Sequence, residues 1–373
     1  MSLPTTARVF RRNEASDNIE QSTEPLPKEL KPTEVLIQIH AVSLNFRDVA
    51  MIHDRYPAPH DHRGIPCSDA GATVVAVGDA VTDFKKGDHV SPTFRWNTPD
   101  GEMRALGGDF DGVLRDYAVY ESDALVKNPD HLSHEEASTI ACAGTTAWTS
   151  LAQDDPKKAA NIKTALMQGT GGVSLFSLLL CLPLGITPIT TSSSDEKLAG
   201  LQKLAKDGQK IHSINYRNTP DWAEEALKLT DGKGVDVLVN NVGTSSMDQS
   251  FKALKRFGTI SLVGFLGGTP EKMPDVTMAI LMKSAHVQGI ATGTKQDHQD
   301  LCNFLADKKV DLKPTIDKVF GFDDSPKAFE YLYSGAHPSP TAMSRVIQSV
   351  EMHNVFKISL VVRREAMSIT LLH

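Results

Sequence analysis

The feature that most constrains the fold is a glycine-rich turn near the middle of the chain. Residues 165–167 are apolar, Gln168-Gly169-Thr170-Gly171-Gly172 follows, and a second apolar run begins at Val173. This order predicts a strand, a tight turn and a helix, the context in which glycines let the backbone approach a pyrophosphate. The first turn of the helix would offer free N–H groups and a positive dipole end to that anion. An ordinary strand–helix turn is the alternative, because Ser174 stands where the GxGxxG pattern has its third glycine.

Strands and helices alternate through the second half of the chain. That rhythm predicts an α/β fold, a doubly wound parallel sheet with helices on both faces. We expect Pro188 at the first residue of its strand, because a proline farther inside would lose a hydrogen bond of the sheet. The predicted strands span 164–168, 187–191, 211–214, 235–241, 258–265 and 286–290, and the predicted helices span 172–182, 195–206, 220–230, 246–255 and 296–308.

The first part of the chain has a different pattern. Residues 7–31 are polar and irregular, whereas 34–42, 69–78 and 114–120 are rich in β-branched residues with glycines at turn spacing. These segments predict an irregular, mostly antiparallel β domain. A helix is expected to begin after Ser133, because Glu136 lies three residues later in a capping-box arrangement.

Composition excludes several classes of function. A chain of 373 residues suits two domains, and its formal net charge of −7 provides no basic field for a nucleic acid. Eighteen consecutive apolar residues occur nowhere, so no membrane span is expected. The four cysteines lie far apart, which indicates neither a disulfide framework nor a sulfur-based zinc site and favours a reduced, cytoplasmic protein.

The end of the second predicted strand should select the cofactor. An acidic residue there would bind the ribose 2′-hydroxyl of NADH, whereas small polar and basic residues accommodate the 2′-phosphate of NADPH. Ser192 and Ser193 occupy this position and Lys197 follows one helical turn later, which favours NADPH. If the strand ended later, Asp195 would lie at its tip and favour NADH. Ser194 as a helix cap and Lys197 as a solvated surface residue are the alternatives.

With these motifs, the chain resembles the medium-chain dehydrogenase/reductase superfamily, specifically its quinone oxidoreductase and zinc-type alcohol dehydrogenase-like branch. The resemblance extends to about residue 336. It implies a GroES-like catalytic domain over 1–152 and 310–350, a Rossmann NADP-binding domain over 153–309, and an atypical tail over 351–373. The residues that carry it are 44–48, 71–78, 86–88, 142–148, 168–174, 234–236 and 258–264.

The same resemblance predicts that no metal is bound. In zinc-binding members a cysteine stands at the position of Asn45, and Gly-His-Glu stands at Cys67-Ser68-Asp69; an amide and a hydroxyl are poor zinc ligands. The structural zinc lobe would fall in 91–112, which contains no cysteine. A different site could be assembled from His53, His60, His62, Cys67 and Asp69, but surface histidines in a proline-rich loop are the commoner explanation.

Without zinc, the resemblance implies hydride transfer from NADPH, or less favourably NADH, to a quinone or an activated C=C or carbonyl group of a small molecule. Asn45 and Tyr56 would lie in the substrate cleft, the first donating an amide hydrogen bond and the second stacking or giving a proton. The alternatives are a turn amide for Asn45 and a surface aromatic for Tyr56. Asp48 is expected to form a salt bridge or a local cap. The cofactor-binding residues would be Thr145, Gly169, Thr170, Gly171, Gly172, Val173, Ser192, Ser193, Lys197, Tyr216, Asn241, Val242, Gly243, Gly264 and Phe265.

Two other functions stay open at this level: a zinc-type alcohol dehydrogenase, and a nucleotide-binding sensor without turnover. Resemblance also implies a homodimer paired through the last strand of the nucleotide domain, at 285–290. Near the carboxyl end the family strand is displaced, so that 345–350 could replace it, and 358–362 could form an edge strand.

Overall fold

The computed structural model of the protein describes residues 3–97, 103–206, 208–268, 270, 273–334 and 360–363. The chain divides into two compact units, with the divisions between Cys142 and Ala143 and between Gly293 and Thr294. The first unit therefore includes helix 295–308, which the sequence pattern assigned to the nucleotide half. Within the described residues, no helix is long and apolar enough to cross a bilayer.

The first unit contains an antiparallel sheet over a continuous apolar core. In this sheet, segments 34–44 and 69–77 pair antiparallel, and apolar side chains such as Ile37 and Val74 are buried. A helix begins after Ser133, whose hydroxyl accepts a hydrogen bond from the Glu136 N–H, so the predicted capping box is confirmed. The elements are β1 (Thr6–Asn13), β2 (Asn18–Pro25), β3 (Glu34–Leu44), α1 (Phe46–Ile52), β4 (Asp69–Val77), β5 (His89–Pro92), β6 (Arg95–Asn97), β7 (Met103–Ala105), β8 (Tyr117–Glu121), β9 (Leu125–Lys127) and α2 (His134–Ala137).

The prediction that residues 7–31 are irregular was wrong, because β1 and β2 form an antiparallel hairpin. Val9 and Phe10 are buried. The charged residues on either side of them, which made the segment look irregular in sequence, form ion pairs rather than being solvated. Arg11 donates to Glu24 across the hairpin and to Asp111, with N–O distances of 3.0 Å from Nη2 to each carboxylate. The alternation of apolar and paired charged side chains thus supports a strand.

The second unit is a parallel sheet with helices between its strands. The strand order is β12-β11-β10-β13-β14-β15. The first strand of the unit, β10, lies inside the sheet, and later strands follow on both of its sides. This is the doubly wound order, and it confirms the predicted α/β class. Its core includes Leu166, Ile189, Leu238 and Ile260. The elements are α3 (Thr145–Ser150), α4 (Pro156–Ala159), β10 (Thr164–Gln168), α5 (Gly172–Leu184), β11 (Thr187–Ser192), α6 (Asp195–Gln202), β12 (His212–Asn215), α7 (Trp222–Leu229), β13 (Val235–Asn240), α8 (Met247–Ala253), β14 (Leu254–Leu262), α9 (Val276–Lys283) and β15 (His286–Gly289).

Several details of this unit differ from the prediction; for example, β14 begins at Leu254, within the predicted helix 246–255. Pro188 is the second residue of β11, opposite Ala165, rather than the first. Helix α9 was not predicted. None of its residues is buried, so its apolar side chains do not form one buried face, and the sequence lacks the amphipathic pattern that would indicate a helix.

The first unit is completed by elements from the end of the chain. Strand β17 lies between β3, to which it is antiparallel, and β16, to which it is parallel, so this segment is internal rather than an edge strand. The alternative strand at 345–350 and most of the tail at 351–373 fall outside the described residues. These closing elements are α10 (Lys295–Lys308), β16 (Lys318–Gly321), α11 (Ser325–Tyr333) and β17 (Leu360–Arg363).

A buried histidine in α10 predicts a dependence of stability on pH. His298 is fully buried, and among the described residues neither of its ring nitrogens has a hydrogen-bond partner. Burial lowers its pKa from 6.5 to about 4. Because the folded state resists protonation, its contribution to stability is complete above pH 6.5 and is lost as the pH falls toward 4.

We therefore expect His298→Leu to flatten the acid side of the stability profile. Between pH 7.5 and 5.0 the wild type should lose roughly 2 kcal/mol more unfolding free energy than the variant. Urea unfolding midpoints at the two pH values measure this difference. Parallel profiles for the two proteins would contradict the assignment.

Candidate active site

The glycine turn of the second unit has the geometry that an anion site requires. Gly169 follows β10 with φ of +84°, a conformation that side-chain-bearing residues rarely adopt, and its N–H donates to Thr191 Oγ1 at 3.2 Å. Gly171 is the N-cap of α5, which runs for 13 residues and so presents N–H groups at Gly172 and Val173. Thr170 is buried beside them. The predicted strand, turn and helix are thus present.

Ser174, at the position of the third glycine, is hydrogen-bonded beneath this turn. Its Oγ donates to the carbonyl oxygen of Gln168 at 2.9 Å and accepts from Asn241 Nδ2, also at 2.9 Å. Asn241 Nδ2 also donates to the Gln168 carbonyl, at 3.1 Å. The serine therefore joins the end of β10 to the end of β13.

The end of β11 presents hydroxyls rather than a carboxylate. The strand ends at Ser192, and Ser194 caps α6 by accepting a hydrogen bond from the Lys197 N–H at 3.3 Å. Asp195 lies within α6, where its Oδ1 accepts from Asn215 Nδ2 at 2.7 Å, so it is not at the strand tip. Lys197 is buried, which contradicts the alternative that it is a solvated surface residue.

Other residues predicted to bind the cofactor lie at the carboxyl ends of neighbouring strands. The Tyr216 N–H, just after β12, donates to the Ser192 carbonyl at 3.0 Å, and its ring is exposed. Gly243 has φ of +88°, and a Cβ there would lie 3.0 Å from the Gly264 carbonyl oxygen. Val242 and Phe265 belong to these same two loops. Thr145 is the buried first residue of α3.

The first unit contains a buried polar cluster around Asp69. Its Oδ2 accepts a hydrogen bond from Asn45 Nδ2 at 2.9 Å and another from the Ser68 hydroxyl, and its Oδ1 accepts from the Cys142 N–H at 2.6 Å. Three donors, two of them from distant parts of the chain, thus converge on one carboxyl group. Asn45 also precedes α1, and its N–H donates to Asp48 Oδ2 at 2.7 Å, which confirms the local cap expected for Asp48.

Burial dominates the electrostatics of this cluster. It raises the pKa of Asp69 to about 7, although the hydrogen bonds from Ser68 and Cys142 act in the opposite direction. Burial raises the pKa of Asp48 as well, while Arg47, whose Nη1 lies 3.7 Å from Asp48 Oδ1, lowers it. Burial and the Asp69 charge raise the pKa of the Cys142 thiol, which is therefore protonated at neutral pH.

Tyr56 is connected to this cluster by its contact with Arg47. The guanidinium carbon of Arg47 is 5.7 Å from the centre of the Tyr56 ring. Burial lowers the pKa of Arg47, but Asp48, Cys142 and a hydrogen bond with Tyr56 outweigh burial, so that the pKa is raised. Tyr56 is half-buried rather than a fully exposed surface aromatic.

Comparison with known proteins supports the assignment of both units. Residues 31–130 match the alcohol dehydrogenase GroES-like domain, and residues 172–307 match the zinc-binding dehydrogenase domain. A zinc-type alcohol dehydrogenase-like protein of Schizosaccharomyces pombe is 37% identical over 329 residues, which are 86% of this chain and 93% of that protein. The chain belongs to the medium-chain dehydrogenase/reductase family.

Solved structures agree with this family assignment. A putative alcohol dehydrogenase from Sinorhizobium meliloti 1021 is 30% identical, with a TM-score of 0.79, and the match covers 97% of this chain and 99% of that one. A quinone oxidoreductase of Pseudomonas syringae pv. Tomato, 24% identical with a TM-score of 0.68, covers 89% of this chain and 97% of its own, and shows the shared fold. This medium-chain dehydrogenase/reductase is therefore an oxidoreductase with a Rossmann unit and a GroES-like unit.

The zinc implied by the family's domain name does not fit the residues at the Asp69 cluster. Asn45 and Ser68 offer an amide and a hydroxyl where zinc sites use thiolate and imidazole, and both groups donate hydrogen bonds to Asp69. Asp69 was considered only as a possible metal ligand beside the histidines of residues 53–62, and not as the acceptor for Asn45 and Ser68; its place after Cys67-Ser68, at the family's Gly-His-Glu, was the only signal for this role.

The histidines considered for another metal site lie elsewhere. His60 and His62 are grouped with Asp54, and among the described residues these three form a set close enough to share an ion, without Cys67 or Asp69. The ring nitrogens of His60 lie 3.2 Å from the Ala58 carbonyl oxygen and 3.1 Å from that of Met51, and the single N–H of the neutral ring can donate to one of these two oxygens.

Proposed function

We propose that this chain is an NADPH-dependent oxidoreductase that reduces a quinone or an enone-type double bond without zinc. The observation that carries the proposal is the Asp69 cluster, in which Asn45 and Ser68 are hydrogen-bonded to a carboxyl group instead of being available as metal ligands. Reduction of a simple ketone would need a strong electrophile at the developing alkoxide. In an enone or quinone the charge delocalises onto a distant oxygen, so hydrogen-bond donors suffice.

The residues of the second unit fit a dinucleotide. The Gly169–Gly172 turn and the start of α5 would hold the pyrophosphate, and Ser193, Lys197 and Tyr216 would surround a 2′-phosphate. Once bound, the dinucleotide supplies the hydride through its nicotinamide. Hydroxyls at the end of β11, with Asp195 engaged by Asn215, support NADPH over NADH.

The residues of the first unit would orient the acceptor. Asn45 uses one N–H on Asp69, which leaves the second N–H of the amide to donate to a substrate oxygen. Tyr56 would provide an aromatic surface for a quinone, with its position supported by Arg47. The Asn45 amide is partly buried and fixed by Asp69, and a donor that is already fixed costs no reorganisation during the reaction.

A panel assay tests this function. We expect the protein to oxidise NADPH with quinones and enones, and to show far lower kcat/KM with saturated ketones and alcohols. A preference for simple alcohols would favour the alcohol dehydrogenase alternative. Saturable NADPH binding without turnover on any member of the panel would favour the sensor.

We also infer a homodimer that pairs through the edge of the parallel sheet. β15 is the last strand in the sheet order, and its residues are mostly exposed. On the neighbouring helix α9, Met278, Leu281 and Met282 are exposed apolar side chains. Such a patch supports association. Light scattering should give twice the mass of the 40.5 kDa chain, and a monomer mass would overturn the inference.

A further inference from the structure

We propose that Ser174 and Asn241 are positioning residues for the dinucleotide, and that the serine at the third-glycine position is required by this turn rather than merely tolerated. The inference rests on the proposed binding of a dinucleotide at Gly169–Gly172. It implies that restoring the GxGxxG pattern with Ser174→Gly would weaken cofactor binding.

The first support is the hydrogen bonding of the Gln168 carbonyl. This oxygen ends β10 immediately before the turn, and it accepts from both Ser174 Oγ and Asn241 Nδ2. Ser174 is buried, so water would not readily replace its hydroxyl. Glycine at 174 would leave Asn241 and the carbonyl with one partner fewer each, in a place where an unmade hydrogen bond is costly.

The second support is the network to which this pair belongs. The Gln168 side chain contacts Ser246 and Ser250 at 3.3 and 3.2 Å, and Asn240 Nδ2 donates to Ser246 at 3.1 Å. Asn240 Oδ1 in turn accepts from the Gly243 N–H at 2.7 Å. The turn after β10 and the loop after β13 are thus held by one set of polar side chains.

Asn241 therefore affects cofactor binding indirectly, by holding the glycine turn in place. Its amide nitrogen is committed to Gln168 and Ser174, so its contribution to cofactor binding is to hold the ends of two strands in register. A pyrophosphate site depends on N–H groups fixed in direction, and a turn free to rotate would lose that alignment.

A matched control lies on the same helix. Ser177 is also a buried serine of α5, but its Oγ has no hydrogen-bond partner in the part of the chain that the structure describes. Ser174→Ala and Ser177→Ala remove the same atom from the same helix, and Ser174→Gly tests the consensus glycine directly. Binding of NADPH is measured by fluorescence titration, together with the melting temperature and the KM values for NADPH and for the acceptor.

We expect Ser174→Ala and Ser174→Gly to raise the Kd and KM for NADPH by about tenfold, equivalent to the loss of one or two hydrogen bonds. Ser177→Ala should bind as the wild type does, and the KM for the acceptor should not change in any variant. Wild-type affinity in both Ser174 variants, or an equal loss in Ser177→Ala, would overturn this inference alone. A wild-type protein that binds neither NADPH nor NADH would overturn it together with the proposed function.

Discussion

Asp69→Asn is expected to reduce kcat/KM by about a hundredfold or more while leaving the Kd for NADPH unchanged, because a fixed donor at a reacting oxygen is worth several kcal/mol. The substitution keeps the shape of the side chain but replaces one of its two acceptor oxygens with a donor, which must then face either Asn45 and Ser68 or the Cys142 N–H. One of these groups must then turn away. If Asn45 turns, its second N–H no longer points where the substrate oxygen requires it.

The pH profile separates this role from a purely structural one. Burial raises the pKa of Asp69 to about 7, so the ionised form, which accepts three hydrogen bonds, predominates only above that pH. Arg47, Asp48 and the Cys142 thiol also face the group, and the thiol does not ionise in this range. Wild-type kcat/KM should therefore fall as the pH drops below 7, and Asp69→Asn should lack this limb.

Asp116→Asn is the matched control for Asp69. Asp116 is a buried carboxylate in the same unit, but its Oδ2 is paired with Arg8 Nε at 2.9 Å. We expect this variant to melt at a lower temperature with kcat/KM close to wild type. Unchanged turnover in Asp69→Asn, with the acid limb still present, would show that Asn45 does not depend on Asp69.

In Lys197→Ala, the kcat/KM for NADPH divided by the kcat/KM for NADH should fall by about tenfold or more. This is the effect expected from the loss of one partly buried charge pair. Lys197 is buried in the first turn of α6, four residues after Ser193. Its ammonium group would neutralise a 2′-phosphate, which NADH lacks. Affinity for NADH should therefore change little.

Lys203 provides the control for this charge. It lies at the opposite end of α6 and is exposed. Lys203→Ala removes the same charge from the same helix and should leave the cofactor preference unaltered. An unchanged preference in Lys197→Ala would remove the assignment of the 2′-phosphate site.

The parts of this fold that could be predicted are those that local pattern determines. The alternation of apolar strands and helices was sufficient for the parallel sheet, and glycines at 169 and 171–172 located its turn. The β1–β2 hairpin was missed because its strand character depends on Arg11 finding carboxylates at Glu24 and Asp111. Pairing over such distances leaves no periodic signal in a single sequence.

The Asp69 cluster illustrates the same limit at the candidate site. Its partners Asn45 and Cys142 lie 24 and 73 residues away along the chain, the first just before α1 and the second at the end of the first segment of the first unit. The resemblance identified the substitutions at Asn45 and Ser68, but the acceptor of their hydrogen bonds could be identified only from the fold. Ser174 is similar, because its partner Asn241 is 67 residues distant.

The most direct test of zinc-independent reduction is turnover by protein stripped of metal. The protein is dialysed against a strong chelator, its zinc content is measured, and NADPH oxidation is followed with a quinone or an enone. We predict full activity at a zinc content far below one ion per chain. Loss of activity on stripping, with recovery on adding Zn²⁺, would contradict a site built from Asn45, Ser68 and Asp69.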